Sequence, residues 1–203
     1  MGQPTVYSRD QVIDAAFELV REKGWTAVTT RAIAKKLGSS TMPIYSHVQS
    51  VDELEKELRN KARQLQKSFQ QYPYTEHALL NLAFGYVVFA RDEKSLFRFL
   101  YLEKPAEIDM EDGKKMREGF LIEFGEDSEE SKALMELKRA GQESLVQYTW
   151  IFTHGLAMLV NAGTFGSNSD KAIMRFLSNA GEAFYLWGSQ NEGGKDVHEN
   201  QKF

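Results

Sequence analysis

Only four prolines interrupt the chain, at positions 4, 43, 73 and 105, and between them apolar residues recur every three or four positions. Proline breaks the hydrogen-bond ladder of a helix, so long proline-free runs of this period bury their apolar side most readily as helices. The chain reads as all-α. At 203 residues it can form one large or two small domains, and 42% hydrophobic with 12% aromatic residues excludes a disordered chain. The absence of cysteine excludes disulfides, thiolate metal sites, iron–sulfur ligation and a Cys nucleophile together.

Start and stop signals divide the N-terminal part. Ser8 and Gln11 have the spacing of a capping box, which opens a helix ending at Lys23 with Gly24 as its stop. Val12, Ala16, Leu19 and Val20 share its inner face. A second, short helix over 30–37 follows Thr29 and stops at Gly38, and a third covers 41–48, its first turn delayed because Met42 precedes Pro43. Ser50 and Glu53 form another capping pattern, opening a long helix to about Gln71 with Leu54, Leu58, Ala62, Leu65 and Phe69 in one stripe. Asp52–Lys56, Glu55–Arg59 and Glu57–Lys61 are acid-before-base pairs on its polar side. At about 1.5 Å per residue this helix spans roughly 30 Å, enough to connect two modules. Tyr72-Pro73-Tyr74 marks a joint, followed by helices near 75–91, 94–103 and 110–123, a long one over 131–162 with a break expected near Gly141, and one over 170–187. The domains read as 1–50, a head; 51–188, a helical body whose first part, 51–71, is the connecting helix; and 189–203, a polar tail.

The formal charge is -4, which as a whole-chain figure argues against nucleic acid. Cut at Tyr72 it separates: residues 1–71 carry 11 basic and 8 acidic side chains, a net +3, and the remainder 14 and 21, a net -7. In that basic part the two short helices, joined through Gly38-Ser39-Ser40, have the spacing of a helix-turn-helix, whose second helix enters the major groove. Ser40 and Thr41 are small enough to approach base edges, and Met42 and Pro43 can meet a thymine methyl. Tyr45, Ser46 and His47 carry donors suited to phosphates; Thr29 or Thr30 can reach a phosphate and Arg31 a guanine. A plain corner of a helical bundle, with Tyr45 and His47 capping neighbouring turns, has the same pattern.

The string V-T-T-R-A-I-A-K-K-L-G-S-S-x-x-P-I-Y-S-H-V from Val28 to Val48, followed by Ser50-x-x-Glu53-Leu54, resembles the DNA-binding domain of the TetR (tetracycline repressor-like) family. Gly24, Thr30, Ala34, Leu37, Gly38, Tyr45, His47 and Leu54 stand at the family's spacing. Two positions depart from it: Val48 where many members have Phe, and Val51 where many have a phosphate-touching Lys. The resemblance implies a three-helix head with a helix-turn-helix, a linker helix, and a larger helical domain that binds ligand and dimerises. It also implies a double-stranded DNA operator, a homodimer, a small-molecule effector and a cytoplasmic regulator, commonly a repressor.

Behind the joint, Phe89 to Tyr101 and Thr153 to Leu159 resemble the family's helices behind the linker and its penultimate helix. Of 24 aromatics, 19 lie at or beyond Tyr72. Phe84, Phe89, Phe97, Tyr101, Phe120, Phe124, Tyr148, Trp150 and Phe152 are candidates to line an apolar cavity, with core packing as the plain alternative. Tyr101 and Tyr148 stand out because a buried hydroxyl wants a partner. His154 reads either as a ligand or metal contact or as a dimer-face residue beside Gly155, with Met158 one turn on. Phe176, Ala180, Phe184 and Trp187 form a stripe suited to a partner helix.

Catalytic patterns are missing: His47, His77, His154 and His198 lack metal-protease or di-iron spacing, and there is no nucleophile elbow, Walker loop or dinucleotide fingerprint. An enzyme, a cofactor and a metal site are not expected; a helical adaptor for a protein partner is the alternative to DNA. The first twenty residues lack a signal-peptide core, and the most apolar stretch, 148–165, is too interrupted to span a bilayer, so no membrane association is expected.

Overall fold

The computed structural model describes residues 7–48, 50–103 and 112–190, without the side chains of Pro43 and Ser46. The expected start of a helix at Met110 and most of the tail from Ser189 lie outside these residues. Among the described residues there are ten α-helices and one short 3-10 turn, and no strand. The chain divides into two compact units. The first is Met1–Phe69 with Phe89–Ala106, and the second is Gln70–Val88 with Glu107–Phe203.

The first unit begins with α1, Arg9–Lys23, whose capping box forms as expected: Ser8 Oγ accepts from the Gln11 N–H at 3.2 Å, and Gln11 Oε1 accepts from the Ser8 N–H at 2.8 Å. Its buried side carries Val12, Ala15, Ala16, Phe17, Leu19 and Val20. After a 3-10 turn, Trp25–Ala27, come α2, Thr30–Leu37, α3, Met42–His47, and α4, Val51–Gln70. α4 buries Leu54, Leu58 and Ala62. Of its expected same-helix ion pairs, Glu55–Arg59 forms at 2.9 Å, whereas Glu57 pairs with Arg9 and Lys61 with Asp14 of α1.

α6, Lys94–Tyr101, is held at both ends inside this unit. At its start Arg21 donates to both oxygens of the buried Glu93 carboxylate, at 2.8 and 2.5 Å. At its end Arg59 Nη1 donates to the carbonyls of Phe99 and Leu100, at 2.6 and 3.3 Å, and its guanidinium lies 4.5 Å above the Phe99 ring. Trp25 stacks on Phe99 at 5.4 Å. A cation at a helix C-terminus satisfies carbonyls that have no partner within the helix.

The second unit contains most of α5, Ala78–Asp92, with α7, Gly113–Phe124, α8, Glu129–Met135, α9, Arg139–Ala162, and α10, Asp170–Gln190. At the expected joint Tyr74 packs between Tyr72 and Phe84, and Asn81 closes the turn by accepting from the Thr75 N–H and donating to the Thr75 carbonyl, each at 2.8 Å. The helix expected over 131–162 is two helices. The break comes before Gly141, at Lys138, whose extended backbone starts α9, while Gln142 Nε2 donates to the Leu137 carbonyl at 2.6 Å. Gly141 stays helical and meets Gly188 of α10, where a Cβ on Gly141 would stand 2.5 Å from the Gly188 oxygen.

Candidate nucleic-acid interface

The corner between α2 and α3 is built from local signals. Thr29 Oγ1 accepts from the Ala32 N–H at 3.1 Å and opens α2. Gly38 ends it in the left-handed region, φ 66°, where a side chain is strained, and the Ser39 N–H returns to the Ala34 carbonyl at 2.9 Å. The chain can then turn within three residues into α3. Ile33, Ala34 and Ile44 point into the core, Ile44 with 1% exposure. That inward anchor fixes which side of α3 faces out.

The outward side holds Met42 at 79% and Tyr45 at 65% exposure; Thr41 and His47 are half-buried, and Ser40 is exposed. Pro43 and Ser46 lie in α3. On α2, Thr29 and Arg31 are exposed and Thr30 is half-buried. Because Thr29 uses an oxygen lone pair for its cap, its hydroxyl hydrogen remains to donate. Arg31 has no carboxylate partner among the described residues. Lys35, exposed in the last turn of α2, is a further cation that the motif reading left out; Lys36 is committed to Glu22 at 2.7 Å, which holds the Glu22 carboxyl below its usual range. Val51, at the start of α4, is 67% exposed and presents an apolar side chain there.

The nine aromatics considered for a cavity are divided between the two units. Phe89, Phe97 and Tyr101 belong to the first unit, where the first two are fully buried and Tyr101 donates to Gln66 Oε1 at 2.7 Å. In the second unit Phe84 packs on Tyr74, Phe120 on Phe124, and Tyr148 and Phe152 on Phe184 of α10. Trp150 stacks on His154 at 4.8 Å, nearly parallel. An open cleft along α4, lined by Asp52, Glu55, Lys56, Arg59, Asn60 and Arg63, contains none of these rings.

The residues considered for a partner helix divide as well. His154 turns to its own chain, its Nδ1 2.8 Å from the Tyr86 hydroxyl of α5. Phe184 takes the Tyr148 and Phe152 rings. Gly155, Phe176 and Trp187 are exposed, while Met158 and Ala180 are half-buried. Ile151 and Leu159, at 46% and 49% exposure, join Gly155 at i, i+4 and i+8 on α9; Leu186 on α10 is likewise exposed. The helical period of Ile151 and Leu159 was readable in the sequence, but not which side of α9 the core would take.

Residues 12–58 match the family described as bacterial regulatory proteins, tetR family. An uncharacterized HTH-type transcriptional regulator of Mycobacterium tuberculosis is 29% identical over 59 residues, which are 29% of this chain and 27% of that protein. The match thus spans about a quarter of that relative's length. The crystal structure of a TetR-like transcriptional regulator from Rhodococcus sp. RHA1 superposes with a TM-score of 0.56 over 89% of this chain and 97% of that one, at 16% identity. That likeness shows the fold: an all-α chain with this head at its N-terminus. Among the described residues no helix is long and apolar enough to cross a membrane. Motif, relative and fold agree: residues 12–58 are similar to the head of the bacterial regulatory proteins of the tetR family, in a chain whose fold is that of a TetR-like regulator.

Proposed function

We infer that the protein is a one-component transcriptional regulator, a cytoplasmic repressor that binds a palindromic operator as a homodimer and leaves it when a small, largely apolar or aromatic effector binds the second unit. The observation that carries this reading is the α2–α3 corner, where a left-handed glycine and the buried Ile44 turn Met42 and Tyr45 outward, and Arg31 on α2 is exposed with no carboxylate partner among the described residues. A bundle corner has no need to expose a methionine and a tyrosine on one short helix. Two such corners about one DNA turn apart, roughly 34–36 Å, engage successive major grooves.

The effector reading draws on the second unit. Thr153 is buried and its hydroxyl has no hydrogen-bond partner among the described residues, as is true of the Thr149 hydroxyl one turn earlier. Unpaired hydroxyls in an apolar setting are costly and supply polar handles to a ligand. An effector that prefers one dimer arrangement over the other shifts operator affinity by that difference alone.

A gel-shift with the DNA flanking the gene, competed with non-specific DNA at fixed salt, tests the reading. Arg31→Ala and Tyr45→Ala are each expected to weaken the specific complex about tenfold, the worth of one good contact, with helicity and molecular mass unchanged. Specific binding that both substitutions leave intact removes this corner as the interface. A protein-binding adaptor would give no sequence-specific shift at all.

A further inference from the structure

If α3 is the groove-facing helix, as the reading above holds, its side chains limit how it can tell one base pair from another. α3 and the turn before it read Gly38-Ser39-Ser40-Thr41-Met42-Pro43-Ile44-Tyr45-Ser46-His47. None of these residues is Arg, Lys, Asn, Gln, Asp or Glu. Those are the types that hold guanine or adenine through paired hydrogen bonds, or accept from cytosine. Ser, Thr, Tyr and His make single hydrogen bonds, which serve bases and phosphates alike. Ile44 is sealed in the core.

Among the described side chains of α3 the most exposed is then Met42, at 79%, flexible and without a polar hydrogen. One base alone offers an apolar group in the major groove, and that is thymine through its C5-methyl. Tyr45, 65% exposed one turn further on, adds a ring edge and a hydroxyl that can reach a phosphate. We propose that this protein reads its operator through α3 chiefly by thymine methyl groups, with Met42 as the residue that senses them. Each half-site then carries thymine beneath Met42, and guanine readout falls to Arg31 at the start of α2.

The test uses the full chain and a site enriched from a random duplex pool. Each thymine of the enriched site is replaced in turn by deoxyuridine, which removes the methyl and leaves every hydrogen-bonding edge in place. At one or two symmetry-related positions the replacement is expected to weaken binding about fourfold, the worth of one methyl-sized group kept from water. Met42→Ala, at an exposed position where folding is insensitive to side-chain size, is expected to bind the thymine and uracil sites equally. Uracil tolerated at every position, or Met42→Ala that still prefers thymine at those positions, overturns the proposal while leaving the regulator reading in place. A pool that yields no enriched sequence overturns both.

Discussion

His154 is held by groups that no local pattern brings together. Tyr86, 68 residues away, lies 2.8 Å from its Nδ1, and the Trp150 ring lies nearly parallel to the imidazole. Burial lowers its pKa below the ordinary 6.5, so the neutral ring is favoured in the folded chain. Below about pH 6.5 the unfolded chain then binds more protons at this residue than the folded chain does. The stability linked to His154 is complete above the unfolded value and is lost as pH falls through it and on through the lower folded value. Urea unfolding is therefore expected to give a lower midpoint at pH 5.5 than at pH 7.5, with His154→Gln reducing that difference. An unchanged difference in the variant would place the pH dependence on the carboxylates. Caps were legible at this scale because their partners are three residues apart, as in Ser8–Gln11, Thr29–Ala32 and Ser50–Glu53. Arg21–Glu93 and the Arg59 contacts with the end of α6 were not, because their spacing is set by folding alone.

The helices themselves were largely written in apolar period and punctuation, and the departures have packing causes. α1 and α2 begin and end where the capping residues and glycines place them. α9 differs because Gly141 has two possible uses, to break a helix or to let another backbone approach, and the sequence around it does not choose. The structure uses it for approach: the backbones of α9 and α10 pass at Gly141 and Gly188, both buried. A Cβ at Gly141 would lie 2.5 Å from a carbonyl oxygen, which cannot swing aside as a side chain can, whereas one at Gly188 would meet the Gly141 oxygen at 3.1 Å. Gly141→Ala is expected to destabilise the second unit by about 1–3 kcal/mol, the usual range for overpacking, despite alanine's better helix propensity. Gly188→Ala is expected to cost less. Denaturant melts followed by helicity rank the two, and a Gly141→Ala variant as stable as the parent would mean that the helices separate at little cost.

For the whole molecule, the figure of -4 conceals a first part of +3 and a remainder of -7, and only the first bears on DNA. A charge of +3 is modest, with Lys36, Arg9 and Lys61 already paired to carboxylates. Affinity under the proposed reading therefore depends on joining two heads more than on bulk charge, since linkage makes the second contact intramolecular. Under the same proposed reading, the exposed apolar side chains Ile151 and Leu159 on α9, and Phe176, Leu186 and Trp187 on α10, are the surface that a second copy would cover. Ile151→Glu combined with Leu159→Glu places two like charges where two copies would meet, and both positions are exposed enough that each chain should fold alone. The double variant is expected to run as a monomer in light scattering, with helicity per residue unchanged. On a palindromic site its affinity should fall at least a hundredfold, the lower end of what linkage contributes. The slope of log affinity against log salt should drop to about half, because one head neutralises half as many phosphates as two. A monomer that keeps the parent's affinity and salt slope would mean that a single head makes all the contacts, and that the operator need not be palindromic.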